Sequence, residues 1–412
     1  MRPTKTTPAH ATALPAELVC SNSLKSQELP SAQALLKAEL DLLGSPLLSC
    51  ARSASVRAGS ALAVDRKRFS EAVATAVREN RLISFVTQEI VEPPVGHDAV
   101  VIATGPLSSD SITAWMTKTF SGESCFFYDA IAPIIAAESI DMATAFFGNR
   151  WKPESDDYCN CPFTEEEYRR FYEGLVSAQK TPSRDFERER FFEACLPIEV
   201  IAQRGYQAMS FGPLKPIGFR NPATGRMPYA VLQLRRETEG GESLSMVACQ
   251  TRLTIGEQMR VFRLIPGLQN AEFLRYGSCH RNTYLDSPSL LSSDLSFRSY
   301  PSLYCSGQLC GNEGYVESIA TGHCASLSIL KKLMGKSLEP LPPTTALGSL
   351  VKYVTGSENR PFTPTGFHFG LLPPLESQGR KRIPKKQKHE MLCARALDDL
   401  KRWAGNQDTS VA

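Results

Sequence analysis

An α/β fold carrying an inserted α+β domain is what this sequence predicts, on three observations. Amphipathic stretches alternate with short Val/Ile-rich runs over residues 31–105. Between about residues 155 and 270 the pattern gives way to a charged helix and turn-rich strands. After residue 300 a strand, a Gly-rich turn and a helix resume the first pattern. The 412 residues are enough for about two to three domains, and 42% hydrophobic with 22% charged residues is ordinary for a globular protein.

Each element has its own signal. Residues 1–30, with Pro3, Pro8, Pro15 and Pro30, read as an extended loop rather than a strand. "SAQALLKAELDLLGS" is a helix capped by Ser31 and stopped by Gly44, and "DRKRFSEAVATAVREN" is a second. "RLISFVTQEIVE" and "HDAVVIATG" are strand-like. "YCNCPFTEEEYRRFYEGLVSAQ" reads as a charged helix after a Pro-marked turn. "SFGPLKPIGFRNPATGRMPYAVLQLRRE" is a turn-rich stretch ending in a strand, and "LSMVACQTRL" is another strand. "LPPTTALG" is a linker, and "GRKRIPKKQKHEML" is a basic run entering a last helix. The expected division is an α/β domain in two parts, 1–154 and 271–375, an insert over 155–270, and a basic tail with the C-terminal helix over 376–412.

Composition excludes several classes. The net charge of +3 is mild, so any nucleic-acid contact needs a local patch. No apolar run is long enough for a bilayer, and "MRPTKTTPAHATALP" has no secretory apolar region; a cytoplasmic protein with reduced thiols is expected. The 12 cysteines show no CxxC spacing, and His280 and His323 are scattered, so no metal site is expected.

Two segments have the strand–turn–helix form that presents backbone N–H groups to a phosphate: "DAVVIATGPLSSDSITAW", turning at Ala103, Thr104 and Gly105, and "GQLCGNEGYVESIATG", with Gly307, Gly311, Gly314 and Gly322 around a helix start. A dinucleotide fold also needs a G-x-G-x-x-G loop. The first 97 residues hold only Gly44, Gly59 and Gly96, which cannot make one. Either the fold is not of that kind or the chain starts after the loop.

"ELVCSNSLKS", "AGSALAVDR", "FYDAIAPIIAAESIDM", "FGPLKPIGFRNPATGRMPYAVLQLR", "FRLIPGLQNAEFLRYGSCHRNTYLDSP", "GQLCGNEGYVESIATG" and "HFGLLPPL" follow in this order over nearly the whole chain. Together they resemble the folate- and flavin-dependent tRNA (uracil-5-)-methyltransferases, the bacterial TrmFO family. The resemblance implies a Rossmann-like FAD-binding domain of the glucose-inhibited division protein type. It implies 5-methyluridine formation at uridine 54 of the tRNA T-loop, with 5,10-methylenetetrahydrofolate as carbon donor, FAD as cofactor and NADH or NADPH as reductant. Family chains carry a first strand, a Gly-rich loop, a helix and a second strand ending in Glu-Met-Arg-Pro. This chain begins Met1-Arg2-Pro3, so the resemblance implies that a unit of roughly 30 residues is missing before it.

The same resemblance assigns residues. Cys195, in "FFEACLPIEV", matches the nucleophile toward uridine, and a thiolate suits that task because it adds to C6 readily and leaves again. Cys20, in "ELVCSNS", matches a position near the flavin that assists protonation or forms a transient adduct. Tyr315 matches the residue that stacks on the pterin, with Glu313 beside it in the Gly-rich turn. His280, Arg281 and Asn282 are the densest polar cluster and are expected to meet cofactor or folate. The target uridine is extruded from a folded loop, and Lys215, Arg235, Arg236 and Arg252, with the tail Arg380–Lys388, are candidates for holding the RNA backbone. Two other readings compete: the related flavoprotein that modifies wobble uridine, and a truncated RNA-binding chain that lacks flavin.

Overall fold

The fold was obtained as a computed structural model that describes residue 10 and residues 12–120, 125–152, 154–181, 196–336, 339–358, 362–375 and 383–407, with the side chains of 125–129 and 280–281 set aside. The chain opens with β1 (Ser23–Ser26), α1 (Ala32–Leu42), α2 (Pro46–Ser53), β2 (Ser55–Val56), β3 (Ala61–Val64) and α3 (Arg66–Glu79). Both expected helices form where their caps predict. Ser31 Oγ accepts from the Ala34 N–H, and Asp65 accepts from Lys67 and Arg68, contacts worth about 1 kcal/mol each. The stretch expected to be loop up to residue 30 instead contains β1. It pairs antiparallel with β3, and Lys25 at φ 61° bends it.

β4 (Val100–Ile102) and α4 (Asp110–Phe120) follow. "RLISFVTQEIVE" is not a strand: its residues take no ladder pairing, and Leu82 and Phe85 are exposed. β-rich composition makes a strand only where a neighbouring edge accepts its hydrogen bonds. β4 is itself the edge of its sheet.

β5 (Cys125–Ile131) leads out to the second domain: β6 (Ile134–Ala136), β7 (Phe146–Gly148), β8 (Tyr158–Phe163), α5 (Glu165–Ser177), α6 (Ile198–Gln203), α7 (Ala208–Phe211), β9 (Ala230–Arg236), β10 (Ser243–Met246), α8 (Ile255–Phe262) and β11 (Phe273–Arg275). Its antiparallel sheet runs β11-β6-β10-β9-β8-β7. β6, β7 and β11 therefore join the insert's sheet, which extends beyond the expected limits of 155 and 270. "YCNCPF" is the buried strand β8, not a turn. Pro162 is tolerated there because β7 pairs only with Tyr158–Asn160, so the missing N–H meets no partner strand on that side. α5 then starts in a Thr164–Glu167 capping box.

β12 (Ser278–Tyr284) returns beside β5, residue for residue from Ser278↔Ile131 to Tyr284↔Cys125. α9 (Ser287–Leu290), β13 (Ser296–Phe297), β14 (Tyr300–Cys305), α10 (Tyr315–Leu333), α11 (Ala346–Gly356) and α12 (Lys385–Asn406) complete the chain. β14 and β4 are parallel, so both deliver their turns to the same end of the sheet. The expected linker "LPPTTALG" opens α11: Thr345 caps it, and the buried Glu39 carboxylate accepts from the Ala346 and Leu347 N–H groups at 2.7 and 2.8 Å. α12 is likewise part of the first domain, since Leu392, Ala396, Leu400 and Trp403 share a core with Leu35, Leu36 and Leu350. A separate core, including Ile135, Phe171, Leu232 and Phe262, belongs to the insert.

Candidate active-site cleft

The chain enters α10 through three glycines with positive φ: Gly307 (76°), Gly311 (85°) and Gly314 (129°). A Cβ at 311 would run into the Phe362 ring, and one at 314 into the Glu317 carboxylate. Asn312 braces this turn from inside. Its Nδ2 donates to Thr321 Oγ1 at 2.9 Å, and the same oxygen accepts from the Gly307 N–H at 3.0 Å. Gly314–Glu317, the first turn of α10 with its N–H groups unused by the helix, thereby lines a cavity of about 200 Å³.

The facing wall is Val19–Ser21 and Ser23–Lys25, with Pro106, Leu107, Asn282, Ile131 at the end of β5 and, from the insert, Gln250. The Cys20 N–H donates to Tyr315 Oη at 2.8 Å and the Ser21 N–H to the same oxygen at 3.4 Å. Three arginines fix this loop. Arg66 donates to Leu18 O at 2.6 Å and pairs with Glu237 at 2.7 Å; Arg275 donates to Val19 O at 2.6 Å; Arg235 donates to Asn22 Oδ1 at 2.8 Å and Ser21 Oγ at 2.9 Å. Burial works against the charge of Arg66, but Glu237 outweighs it and holds the guanidinium above its ordinary value. Burial draws Arg235 and Arg275 down. The Tyr315 phenol is pushed up, by burial first and by Cys20 second.

At the cavity's other end, fully buried Glu317 accepts through Oε1 from the Phe367 N–H at 3.0 Å and lies 3.6 Å from Lys25 Nζ, while Oε2 has no hydrogen-bond partner among the described residues. Lys37 sits behind, its Nζ donating to Leu24 O at 2.6 Å, and burial draws it down to about 8. A larger cavity of about 640 Å³ adjoins through the shared Leu107 and takes in Thr104, Ser108 and Ala13–Ala16.

The residues present fit the expected flavin at its ring end: a helix N-terminus, glycines that bring backbone close, and a cleft continuing past the end of β4. For the adenylate half, the described residues offer Thr104, Gly105 and Ser108, with Thr104 Oγ1 and Ser108 Oγ 2.6 Å apart, and no second glycine-rich strand–turn–helix before them.

The expected residues divide accordingly. Cys20, Asn282, Glu313, Gly314 and Tyr315 line one cavity; Gly307 and Gly311 shape its turn; Ala103, Thr104 and Gly105 end β4. His280 and Arg281 are on β12 opposite Asp129 and Tyr128. Cys195 lies outside the described residues; just after it, the Ile198 N–H donates to the carbonyl of Gln250, a wall residue. Lys215 is exposed on the insert. Arg235 and Arg236, expected to face RNA, turn elsewhere: Arg235 into the Cys20 loop, and Arg236 to Asp156 at 3.0 Å. Alternation along β9 sends neighbouring side chains to opposite faces, and the first domain packs against one of them. Arg252 Nη2 donates to Thr181 O at 3.1 Å. Of the tail, Lys385, Lys386 and Lys388 are exposed on α12, and Arg380 lies outside the described residues. Sequence reading passed over Arg66, Arg275, Lys25, Gln250 and Glu317, although all but Gln250 fall inside the motifs quoted above. Among the described residues no His/Cys/Asp/Glu group can hold a metal, and no helix is long and apolar enough to cross a membrane.

Comparison with known proteins agrees with this geometry. The family described as glucose inhibited division protein A matches residues 4–337. A methylenetetrahydrofolate–tRNA-(uracil-5-)-methyltransferase TrmFO of Carboxydothermus hydrogenoformans is 48% identical over 404 residues, 98% of this chain and 92% of that protein. The protein of the same name from Caldicellulosiruptor bescii is 44% identical over 99% of this chain and 92% of its own length. Among solved structures, Aquifex aeolicus GidA in its form I crystal superposes with a TM-score of 0.65 at 13% identity, over 94% of this chain and 70% of that one.

Proposed function

The chain belongs to the glucose inhibited division protein A family and within it to the TrmFO methylenetetrahydrofolate–tRNA-(uracil-5-)-methyltransferases, and from that membership we propose that it methylates C5 of uridine 54 in the tRNA T-loop with 5,10-methylenetetrahydrofolate as carbon donor. FAD is its cofactor and NADH or NADPH its reductant. The wobble-uridine reading is disfavoured, because the relatives at 44–48% identity over nearly the whole chain carry the uracil-5-methyltransferase name.

One observation carries the site reading: the Cys20 backbone is bonded to the Tyr315 hydroxyl, at a helix N-terminus, in a cavity that both domains line. Cys195 is the nucleophile. Its thiolate adds to C6 of the extruded uracil, leaving a carbanion at C5 that attacks the donor's methylene carbon; loss of the C5 proton then breaks the carbon–nitrogen bond to tetrahydrofolate and leaves an exocyclic methylene on C5, and hydride addition to that methylene expels the thiolate from C6. When bound and reduced by NADH or NADPH, the flavin would supply the hydride that turns methylene into methyl. Gly307, Gly311, Gly314 and the first turn of α10 would hold its ring end, with Thr104 and Gly105 as further contacts. Tyr315 orients the Cys20 loop and offers an aromatic face to the pterin, with Asn282, Glu313, His280 and Arg281 as polar partners. Cys20 exchanges a proton at the flavin.

The test is the visible flavin spectrum of the purified chain together with methyl transfer to an unmodified T-arm hairpin, for the parent, Cys195→Ala and Cys20→Ala. The expected result is flavin absorption in all three and loss of turnover by about 10⁴-fold or more in Cys195→Ala. Full turnover by Cys195→Ala would overturn the nucleophile. A chain without flavin colour and without turnover, even when FAD is added, would overturn the enzyme reading.

A further inference from the structure

We infer that the β7 edge of the insert's sheet is the face that grips the RNA outside the target nucleotide, with bases stacked on Trp151 and Phe147 and phosphates held by Arg150, Lys152, Lys215 and Arg220. The inference rests on the tRNA reading above and centres the surface on Trp151; of the expected arginines, Arg236 borders it, its guanidinium 5.6 Å from the Phe147 ring centre and paired with Asp156, while Arg235 turns to the Cys20 loop.

Register locates this face relative to the cleft. Gly148 of β7 stands opposite Tyr158, and Tyr158 opposite Arg235, whose side chain holds Ser21 beside Cys20. Two strand spacings of about 4.8 Å therefore separate the β7 edge from the strand that touches the Cys20 loop. The chain leaves β7 through Asn149–Lys152, and this turn packs on the 215–220 loop. Arg150 Nη1 donates to Lys215 O at 2.6 Å and Ile217 O at 3.0 Å, and its guanidinium lies 4.8 Å from the Phe219 ring centre. A cavity of about 490 Å³ opens between Phe146–Asn149 and Gly218–Met227.

Apolar exposure here is large: Trp151 is 78% exposed, Met227 62%, Ile217 47% and Phe147 42%. Phe147 and Met227 line one cavity, and Trp151 and Ile217 belong to the turn and loop that Arg150 ties together; large apolar exposure of this kind marks a partner. The charge around it says which. Residues 211–229 contain Lys215, Arg220 and Arg226 and no Asp or Glu, in a chain whose net charge is only +3. The Arg150 guanidinium touches carbonyls and the Gln233 amide oxygen, and among the described residues no carboxylate pairs with it. Flat rings interleaved with uncompensated cations match unstacked bases flanked by phosphates.

The whole chain provides the probe. Trp115 is half-buried and Trp403 buried, so Trp151 is the exposed indole of the three. Titrating an unmodified T-arm hairpin into the parent is expected to quench Trp emission, and Trp151→Phe to lose that quench. Trp151→Ala and the Lys215→Ala/Arg220→Ala double variant are each expected to bind about tenfold more weakly, the double variant with a salt slope shallower by about 2. Lys401→Ala, on exposed α12, is expected to bind like the parent. Matching circular dichroism and Cys20 alkylation rates would exclude misfolding as the cause. If the hairpin binds the parent and all variants alike, or if Lys401→Ala weakens binding as much as the double variant, the face is wrong while the tRNA reading stands. A parent that binds no hairpin removes the tRNA reading and the face with it, and binding of peptide strands to β7 instead would overturn the RNA assignment.

Discussion

Three guanidinium groups converge on one short stretch of backbone, and their partners show what that is for. Arg66 and Arg275 both donate to the Val19 carbonyl, at 3.4 and 2.6 Å, and Arg235 holds the side chains of the next residues. Arg66 comes from the first domain and the other two from the insert, so the Cys20 loop is set by contacts from both. Nothing in an arginine's neighbours in sequence announces this inward course; Arg235 and Arg236 look alike on a charged strand. Lys37 is the contrasting cation, 2% exposed and donating to Leu24 O. Burial lowers it from 10.5 to about 8. At neutral pH it is charged in both folded and unfolded chains, and the folded one bears the desolvation. Between pH 8 and 10.5 the folded chain sheds the proton first, so stability rises with pH, is fully regained above 10.5, and is lost again as pH falls through 8. The rise amounts to about 3 kcal/mol. Urea unfolding across that range is expected to show it in the parent relative to Lys37→Met; identical pH slopes for the two would refute it.

At the scale of elements, the start of α10 is the most constrained junction. Gly311 has φ 85° and faces the Phe362 ring, whereas Gly322, in the middle of the same helix, has nothing within 4 Å of where a Cβ would lie. Gly311→Ala is expected to cost about 2–4 kcal/mol and to weaken flavin binding, from left-handed strain plus overpacking. Gly322→Ala is expected to stabilise by up to about 1 kcal/mol. Thermal unfolding checks both, and equal effects would contradict the geometry. The Gly-rich turn itself was legible in "GQLCGNEGYVESIATG", but which glycine is irreplaceable was not, because the colliding ring at 362 is distant in sequence. The run "RLISFVTQEIVE" teaches the reverse: local β preference was legible, and the strand did not form because no edge pairs with it.

Among the described residues the two large cores are joined by the β5–β12 ribbon and by polar contacts such as Arg66–Glu237 and Tyr158 Oη to Ala58 O at 3.1 Å. Such a junction is more polar than either core, so the two are expected to melt separately. Leu36→Ala, in the first core, is expected to lower one calorimetric transition by about 2–5 kcal/mol, and Phe171→Ala, in the second, to lower the other by about 3–5 kcal/mol. A single transition moved equally by both variants would mean that the halves unfold as one. This division also explains why the expected domain limits fell short: β6 and β11 flank the insert in sequence, yet Ile135 pairs with both Leu244 and Phe273.

By itself the sequence determined where α1, α3 and α5 lie, since Ser31, Asp65 and Thr164 act on N–H groups two or three residues away. It also determined the family, because long motifs in a set order survive without any knowledge of contacts. Only the tertiary structure decided which strands find partners, which arginines turn inward, and that Cys20 rests on Tyr315, 295 residues along the chain. Those outcomes depend on long-range hydrogen bonds and on burial, which no local run of residues encodes: a cap is complete within one turn of chain, while a sheet edge or a cleft wall exists only once distant segments have met.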